Sequence, residues 1–341
     1  MSDDKRPDTL DEAFEQMLAA ALGTTPDDEA GRALAPDALP EDDTPSGFKS
    51  GYVAVVGQPN VGKSTLINQM MGEKIAIVSP KPQTTRLQQL GILNRPGAQV
   101  IFIDTPGIHQ PVDELGEFMV EVARAALHDA DLILFVVAAN RPPNAGDRQI
   151  IAFLESMADK VILVMNKVDL AKDPARFAAI FETYETLLPD AERLTTTATD
   201  GYNVAELLDM ILERLPAGPR YYPADQVSDM PLRSIAAETI REKVLLLTRQ
   251  EVPHSIAVEV DEFKARNANL TYIHATVFCE RDGQKGIIIG KGGEMLKRIA
   301  AAARTDIEMF LGTRVYLDVR VKVWANWRKD LAALQRFGYR L

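Results

Sequence analysis

The stretch Val53-Ala-Val-Val-Gly-Gln-Pro-Asn-Val-Gly-Lys-Ser-Thr65 constrains this chain more than any other. Four apolar residues, Val53 to Val56, run into Gly57, and Leu66, Ile67, Met70 and Met71 follow at helical spacing. That order predicts a buried strand, a tight loop and a helix. Gly57, Gly62, Lys63 and Ser64 fill the pattern G-x-x-x-x-G-K-[ST]. In this pattern the loop turns its backbone N–H groups inward on a diphosphate, the Lys ammonium reaches the outer phosphates and the Ser hydroxyl joins a Mg2+ shell, with Thr65 next in the phosphate-binding set. An ordinary strand-to-helix turn has no need of Gly62, Lys63 and Ser64 in that order.

From Gly51 to about Leu215 strand and helix patterns alternate. Strands are predicted at Val53 to Val56, Gln88 to Leu93, Val100 to Ile103, Leu132 to Val137, Val161 to Met165 and Arg193 to Thr197. Helices are predicted at Ser64 to Met71, Leu115 to Leu127, Asp147 to Ser156, Ala175 to Leu187 and Val204 to Leu215. Apolar strands separated by helices imply a mostly parallel sheet with helices on both faces, and ligands at the C-terminal ends of its strands. Two further loops fall there. Asp104-Thr-Pro-Gly107 places a carboxylate that can hold Mg2+ and a Gly N–H that can contact a terminal phosphate. Asn166-Lys-Val-Asp169 offers an Asp that can accept from the N1–H and amino group of guanine, an edge adenine lacks.

Charge divides the chain unevenly. Residues 1 to 50 carry 13 Asp and Glu against 4 Lys and Arg, whereas residues 281 to 341 carry 13 Lys and Arg against 6 Asp and Glu. The basic C-terminal part points to a polyanionic partner, or else to a solvated charged face. The acidic first 48 residues have few large apolar side chains, so disorder is expected there, apart from a helical face at Leu10, Phe14, Met17, Leu18 and Leu22. A single cysteine, Cys279, rules out an internal disulfide and suits a reducing cytoplasm. Neither a signal peptide nor a membrane span is expected. His109, His128, His254 and His274 are scattered without ligand spacing.

The run Pro216-Ala-Gly-Pro-Arg-Tyr-Tyr-Pro223 reads as a linker, and a second domain begins near Asp229. It opens with a helix at Ile235 to Leu247 and strands at Ser255 to Val260 and Tyr272 to Cys279. Then comes Gly290-Lys-Gly-Gly293, between the apolar run Ile287 to Ile289 and an amphipathic helix carrying Lys297 and Arg298. An alternating strand, Arg314 to Val323, follows. This arrangement resembles a KH domain, whose G-x-x-G loop clamps about four nucleotides of a single strand. Glycines let the backbone approach the phosphates, and Lys291 supplies charge. Trp324 and Trp327 are expected to pack a C-terminal helix.

Taken together, the motifs resemble the translation-factor-class GTPases and, within them, the bacterial Era family, over roughly residues 50 to 341. The five GTP motifs map to Gly57 to Ser64, Gln83-Thr-Thr-Arg86, Asp104 to Gly107, Asn166 to Asp169 and Thr197-Ala198. The resemblance implies a P-loop GTPase domain (α/β, residues 49–215), a linker (216–228) and an α+β KH-type domain (229–341), after the 1–48 extension. It implies that Thr84 or Thr85, with Thr85 favoured, closes on Mg2+ beside Ser64 and Asp104 when GTP rather than GDP is bound. It also implies that Ala198 N–H meets guanine O6 and that Lys167 packs along the base. Thr197 departs from the family's usual Ser. Many GTPases carry a Gln after D-x-x-G to orient the attacking water; here Ile108 stands, which predicts slow intrinsic hydrolysis. By resemblance, Asn60 would ligate a K+ ion that supplies the missing positive charge, placing Asn60 with Lys63, Thr85 and Gly107 in the catalytic set. The implied partner is the 3′ end of small-subunit ribosomal RNA and the small ribosomal subunit, for a cytoplasmic protein, monomeric when free, with peripheral association at the inner membrane as an additional location. Two other readings stand beside it: a constitutive RNA-binding protein with a scaffold G domain, and a membrane-associated signalling GTPase.

Overall fold

In the computed structural model, residues 45–79, 81, 84–108, 111, 113–248 and 252–339 are described. The expectations for residues 1–44, Gln83 and His109 lie outside them. A six-stranded sheet is built from β1 (Lys49–Val56), β2 (Gln89–Arg95), β3 (Ala98–Asp104), β4 (Leu132–Ala138), β5 (Val161–Asn166) and β6 (Glu192–Thr196), in the order β2-β3-β1-β4-β5-β6. All neighbours run parallel except β2, which pairs antiparallel with β3. The expected parallel sheet therefore carries one reversed edge strand, because β2 and β3 are joined by a two-residue turn at Pro96 and Gly97 that leaves no room for a crossover helix.

Alternate residues of each central strand face opposite layers. Val53, Val55, Leu134, Val136, Ile162 and Val164 pack under α1 (Lys63–Met71) and α5 (Val204–Arg214) through Leu66, Ile67, Leu207 and Ile211. Ala54, Val56, Ile133, Phe135 and Leu163 face the other side, where Ala123, Ile150 and Ile180 come from α2 (Glu114–Asp129), α3 (Ala145–Leu154) and α4 (Pro174–Leu187). Strands buried on both faces read as continuous apolar runs for this reason. The loops after β1, β3, β5 and β6 are left at one edge of the sheet.

A second, three-stranded sheet has the order β7 (Ala257–Asn267), β8 (Leu270–Cys279), β9 (Arg314–Val323), with β7 antiparallel and β9 parallel to β8. Its inner face, carrying Ile273, Ala275, Val277, Val315 and Val319, packs on α6 (Leu232–Leu247), α7 (Asp282–Ile289) and α8 (Glu294–Leu311) through Ala236, Ile240, Ile288, Ile299 and Ala303. The run Ile287 to Ile289, read only as apolar in the sequence, ends helix α7. Chain after β9 makes a tight turn in which Trp327 is fully buried, then α9 (Leu331–Arg336). Trp327 donates its Nε1–H to Ser255 O at 2.9 Å and meets Phe337 edge-on and Tyr339 in a stack, while Trp324 meets Phe278 and Phe337. Phe118 and Met119 of α2 join this aromatic cluster, so the two sheets share a packed seam.

Candidate nucleotide site and nucleic-acid interface

The phosphate loop gets its shape from residues without room or with unusual backbone. A Cβ on Gly57 would lie 2.2 Å from Val136 O, and Gly62, at φ +105°, begins α1. Asn60 adopts the left-handed conformation at φ +64° and lies exposed at the loop's tip. With the first N–H groups of α1 unpaired by the helix, the loop forms an anion cradle at a helix N-terminus. Lys63 is buried, and its Nζ donates to Gly57 O and Gln58 O at 3.2 Å each. Burial pushes its pKa down to about 8, against the pull of the Asp104 carboxylate. A phosphate in the cradle would replace those carbonyls with a full negative charge.

Ser64, Thr85 and Asp104 come together. Ser64 Oγ donates to Asp104 Oδ2 at 2.7 Å, Thr85 Oγ1 donates to the same oxygen at 3.0 Å, and the two hydroxyls are 3.0 Å apart. Asp104 is buried with no hydrogen-bond partner at Oδ1, and burial raises its pKa. A buried carboxylate with one bare oxygen and two hydroxyls in reach is an all-oxygen donor set that fits Mg2+. Thr84 is placed differently: its hydroxyl donates to Lys81 O at 2.7 Å. Gly107 packs so closely on the phosphate loop that a Cβ would lie 2.7 Å from Pro59 N. Ile108 is buried in the core with Val56 and Val137, its N–H donating to Gly57 O at 3.3 Å.

At the other end of the loop, Asn166 ties three strand ends together. Its Nδ2 donates to Val61 O at 2.9 Å, and its Oδ1 accepts from Ala198 N–H at 3.0 Å and Thr196 Oγ1 at 3.2 Å. The Ala198 N–H assigned by resemblance to guanine O6 is thus donated to Asn166, and the two acceptors compete for one hydrogen. Lys167, left-handed at φ +66°, donates its ammonium to Asn60 O, and Asp169 is exposed at the rim. Thr197 is buried, its N–H bonded to Tyr202 O at 3.2 Å. Thr65 lines the cleft beside Ser64.

The Gly290–Gly293 loop joins α7 to α8, with Gly290, Gly292 and Gly293 all at positive φ. Added Cβ atoms on Gly292 and Gly293 would meet nothing within 4 Å, whereas one on Gly290 would press on Met295. Lys291, Lys297 and Arg298 are exposed around it. The loop therefore presents open backbone flanked by cations.

Residues 52–167 match the family model described as 50S ribosome-binding GTPase, and residues 251–328 match the KH domain model. Two solved structures are similar along nearly the whole described chain. One is Era in complex with MgGDPNP and nucleotides 1506–1542 of 16S ribosomal RNA; the other is a point variant of Aquifex aeolicus Era bound to GDP–AlF4−. Each is 43% identical, covers 86% of this chain and 100% of its own, and superposes with a TM-score of 0.83. The chain belongs to the Era family of GTPases.

In this Era-family chain the nucleotide site and the KH-type module meet through contacts that are not legible in the sequence. The segment bearing Thr85 is gripped from α6. Val78 N–H donates to Glu242 Oε1 at 2.9 Å, and Arg241, paired with Glu238 at 2.9 Å through Nε, donates Nη2–H to Thr84 O. Arg86, fully buried over the Trp327 ring, donates to Ile256 O at 2.5 Å. Glu242 Oε2 also receives Lys74 at 2.6 Å and Lys243 at 3.1 Å. On the phosphate loop, Gln58 is held by Asn144 and by Arg141, which pairs with buried Asp147 at 2.6 Å. Partners as far apart in sequence as Arg86 and Trp327 leave no local pattern to read. No helix among the described residues is long and apolar enough to cross a membrane.

Proposed function

We propose that this chain is a GTP-hydrolysing switch that binds the 3′ end of small-subunit ribosomal RNA through its KH module and acts, in the cytoplasm, in small-subunit assembly. The observation that carries the reading is convergence: loops from the ends of β1, β3, β5 and β6 meet in one cleft, in a chain that also presents an open G-x-x-G loop. Support for the RNA comes from the Era relative solved with MgGDPNP and 16S nucleotides. We assign the nucleotide module to residues 49–215, the linker to 216–228 and the KH module to 229–341.

In this mechanism Lys63 leaves Gly57 O and Gln58 O for the β- and γ-phosphate oxygens, and the loop N–H groups hold the diphosphate. Asp169 accepts from guanine N1–H and the amino group, while Lys167 packs along the base. Ser64, Thr85 and Asp104 would hold Mg2+, which would supply positive charge to screen the phosphates. Gly107 N–H faces the terminal phosphate, and its hold on the phosphate loop links cleavage to the Thr85 segment. Ile108 offers no hydrogen bond to water, so hydrolysis is slow unaided; an ion such as K+ at Asn60 would add positive charge there. Because α6 grips Val78 and Thr84 on the approach to Thr85, ordering that segment on GTP biases the grip, and loss of the γ-phosphate relaxes it. GTP acts on RNA affinity only by favouring one arrangement over the other.

Base choice tests the nucleotide assignment. Asp169→Asn exchanges an acceptor pair for an acceptor and a donor, so competition assays should show preference moving from guanine toward xanthine nucleotides. Unchanged preference would remove Asp169 from the base site.

A further inference from the structure

Outside the two sites lies a sheet face with unusual chemistry. The outer face of the β7-β8-β9 sheet, opposite its helices, is covered at one end: Phe337 and Trp324 pack on Phe278, and Arg336 pairs with Glu259 at 2.8 Å. At the other end none of the described residues covers it. There Lys264, Tyr272 and Tyr316 stand in cross-strand register on β7, β8 and β9. The two tyrosine rings stack, with centroids 5.8 Å apart and an interplanar angle of 24°. Arg266 lies over Tyr272 at 4.8 Å, and Tyr316 is 62% exposed. Arg314 is exposed on the same face, two residues before Tyr316. The acids beside it are paired, Glu262 with Lys264 at 2.9 Å and Asp318, two residues after Tyr316, with His274 at 3.2 Å and Arg320 at 3.7 Å, which leaves Arg266 and Arg314 as excess positive charge.

We propose that this open end is a second RNA contact, in which an unpaired base stacks on Tyr316 while Arg266 and Arg314 meet the flanking phosphates. A cross-strand aromatic pair steadies a sheet wherever it sits, but an open ring face beside unpaired cations is what single-stranded nucleic acid binds. An arginine already stacked on Tyr272 extends the same platform. Charge complementarity favours a phosphate strand over an apolar partner. The platform is separate from the G-x-x-G loop: that loop precedes α8, and β9 begins three residues after α8 ends. Eighteen residues of helix set the two about 27 Å apart along the axis. A stacked strand advances about 3.4 Å per nucleotide, so about 16 nucleotides beyond the four in the clamp can reach around the sheet.

The inference rests on the RNA-binding reading above, and its test separates the two. Full-length protein is titrated with a labelled uridine tetranucleotide and with an oligouridylate of about 20 nucleotides. The wild type should bind the longer strand more tightly. Tyr316→Ala should leave tetranucleotide binding intact and weaken the longer strand about 5- to 150-fold, while Tyr316→Phe retains the gain. Equal binding of the longer strand by wild type and Tyr316→Ala overturns the platform. Tetranucleotide binding that survives Gly292→Asp instead overturns the G-x-x-G assignment and leaves the platform result standing on the longer strand. If Tyr316→Ala spares both oligonucleotides but abolishes co-sedimentation with small ribosomal subunits, the face docks protein and the RNA proposal is wrong.

Discussion

Glu242→Gln is the sharpest perturbation of the link between the KH module and the nucleotide. The carboxylate is 2% exposed and accepts from Val78 N–H, Lys74 and Lys243. Breaking a fully buried charge pair costs about 3–5 kcal/mol. Here the loss is smaller for three reasons. Lys74 is 48% exposed, both lysines keep Asp306 at 2.9 and 2.5 Å, and Gln still accepts from Val78. Replacing charge-assisted bonds by neutral ones then costs about 1–2 kcal/mol. If that energy holds Thr85 on Ser64 and Asp104, affinity for a non-hydrolysable GTP analogue should fall about 5- to 30-fold, with GDP affinity unchanged. Equilibrium titration measures both, and a thermal melt checks that the variant is folded. On a Thr85→Ala background the Glu242 effect should vanish, since the two substitutions then act on one link. Equal losses for GDP and the analogue, or additive effects with Thr85→Ala, would refute the reasoning.

Two further outcomes follow from other parts of the chain. Hydrolysis should be faster in KCl than in NaCl at equal ionic strength, and Asn60→Ala should remove the difference; equal rates would exclude the K+ role. Trp327→Ala removes a fully buried indole and its bond to Ser255 O, so urea unfolding should show a loss of about 3–5 kcal/mol.

How much of this was legible depended on the range of the interaction. The phosphate loop was readable because Gly57 and Gly62 shape a local turn and Lys63 and Ser64 stand at fixed places on it, so one short pattern encodes the cradle. The choice of Thr85 over Thr84 came from resemblance, and the two hydroxyls indeed lie in different surroundings, one on Asp104 and one on Lys81 O. Periodicity located most helices but not α7, since three consecutive isoleucines carry neither period. It also could not show that β2 runs backwards, because strand pairing is a property of two segments. Arg241 and Glu242 read as ordinary charged residues, and only the fold brings them to the Thr85 segment; Arg86 stands in a motif, but its burial over Trp327 needed the structure. That an Ile at 108 offers no hydrogen bond to water is legible from the residue type alone, whereas its place in the core with Val56 and Val137 needed the structure.

The central claim is that one chain couples its nucleotide state to RNA affinity. The direct measurement is the Kd of the full-length protein for an RNA carrying the 3′ end of 16S ribosomal RNA, in saturating GDP and in a saturating non-hydrolysable GTP analogue, at one salt concentration. The account predicts Kd values that differ at least about 5-fold, the lower end of typical coupling, with the RNA shifting nucleotide affinity by the same factor. Identical Kd values in the two nucleotides would contradict it.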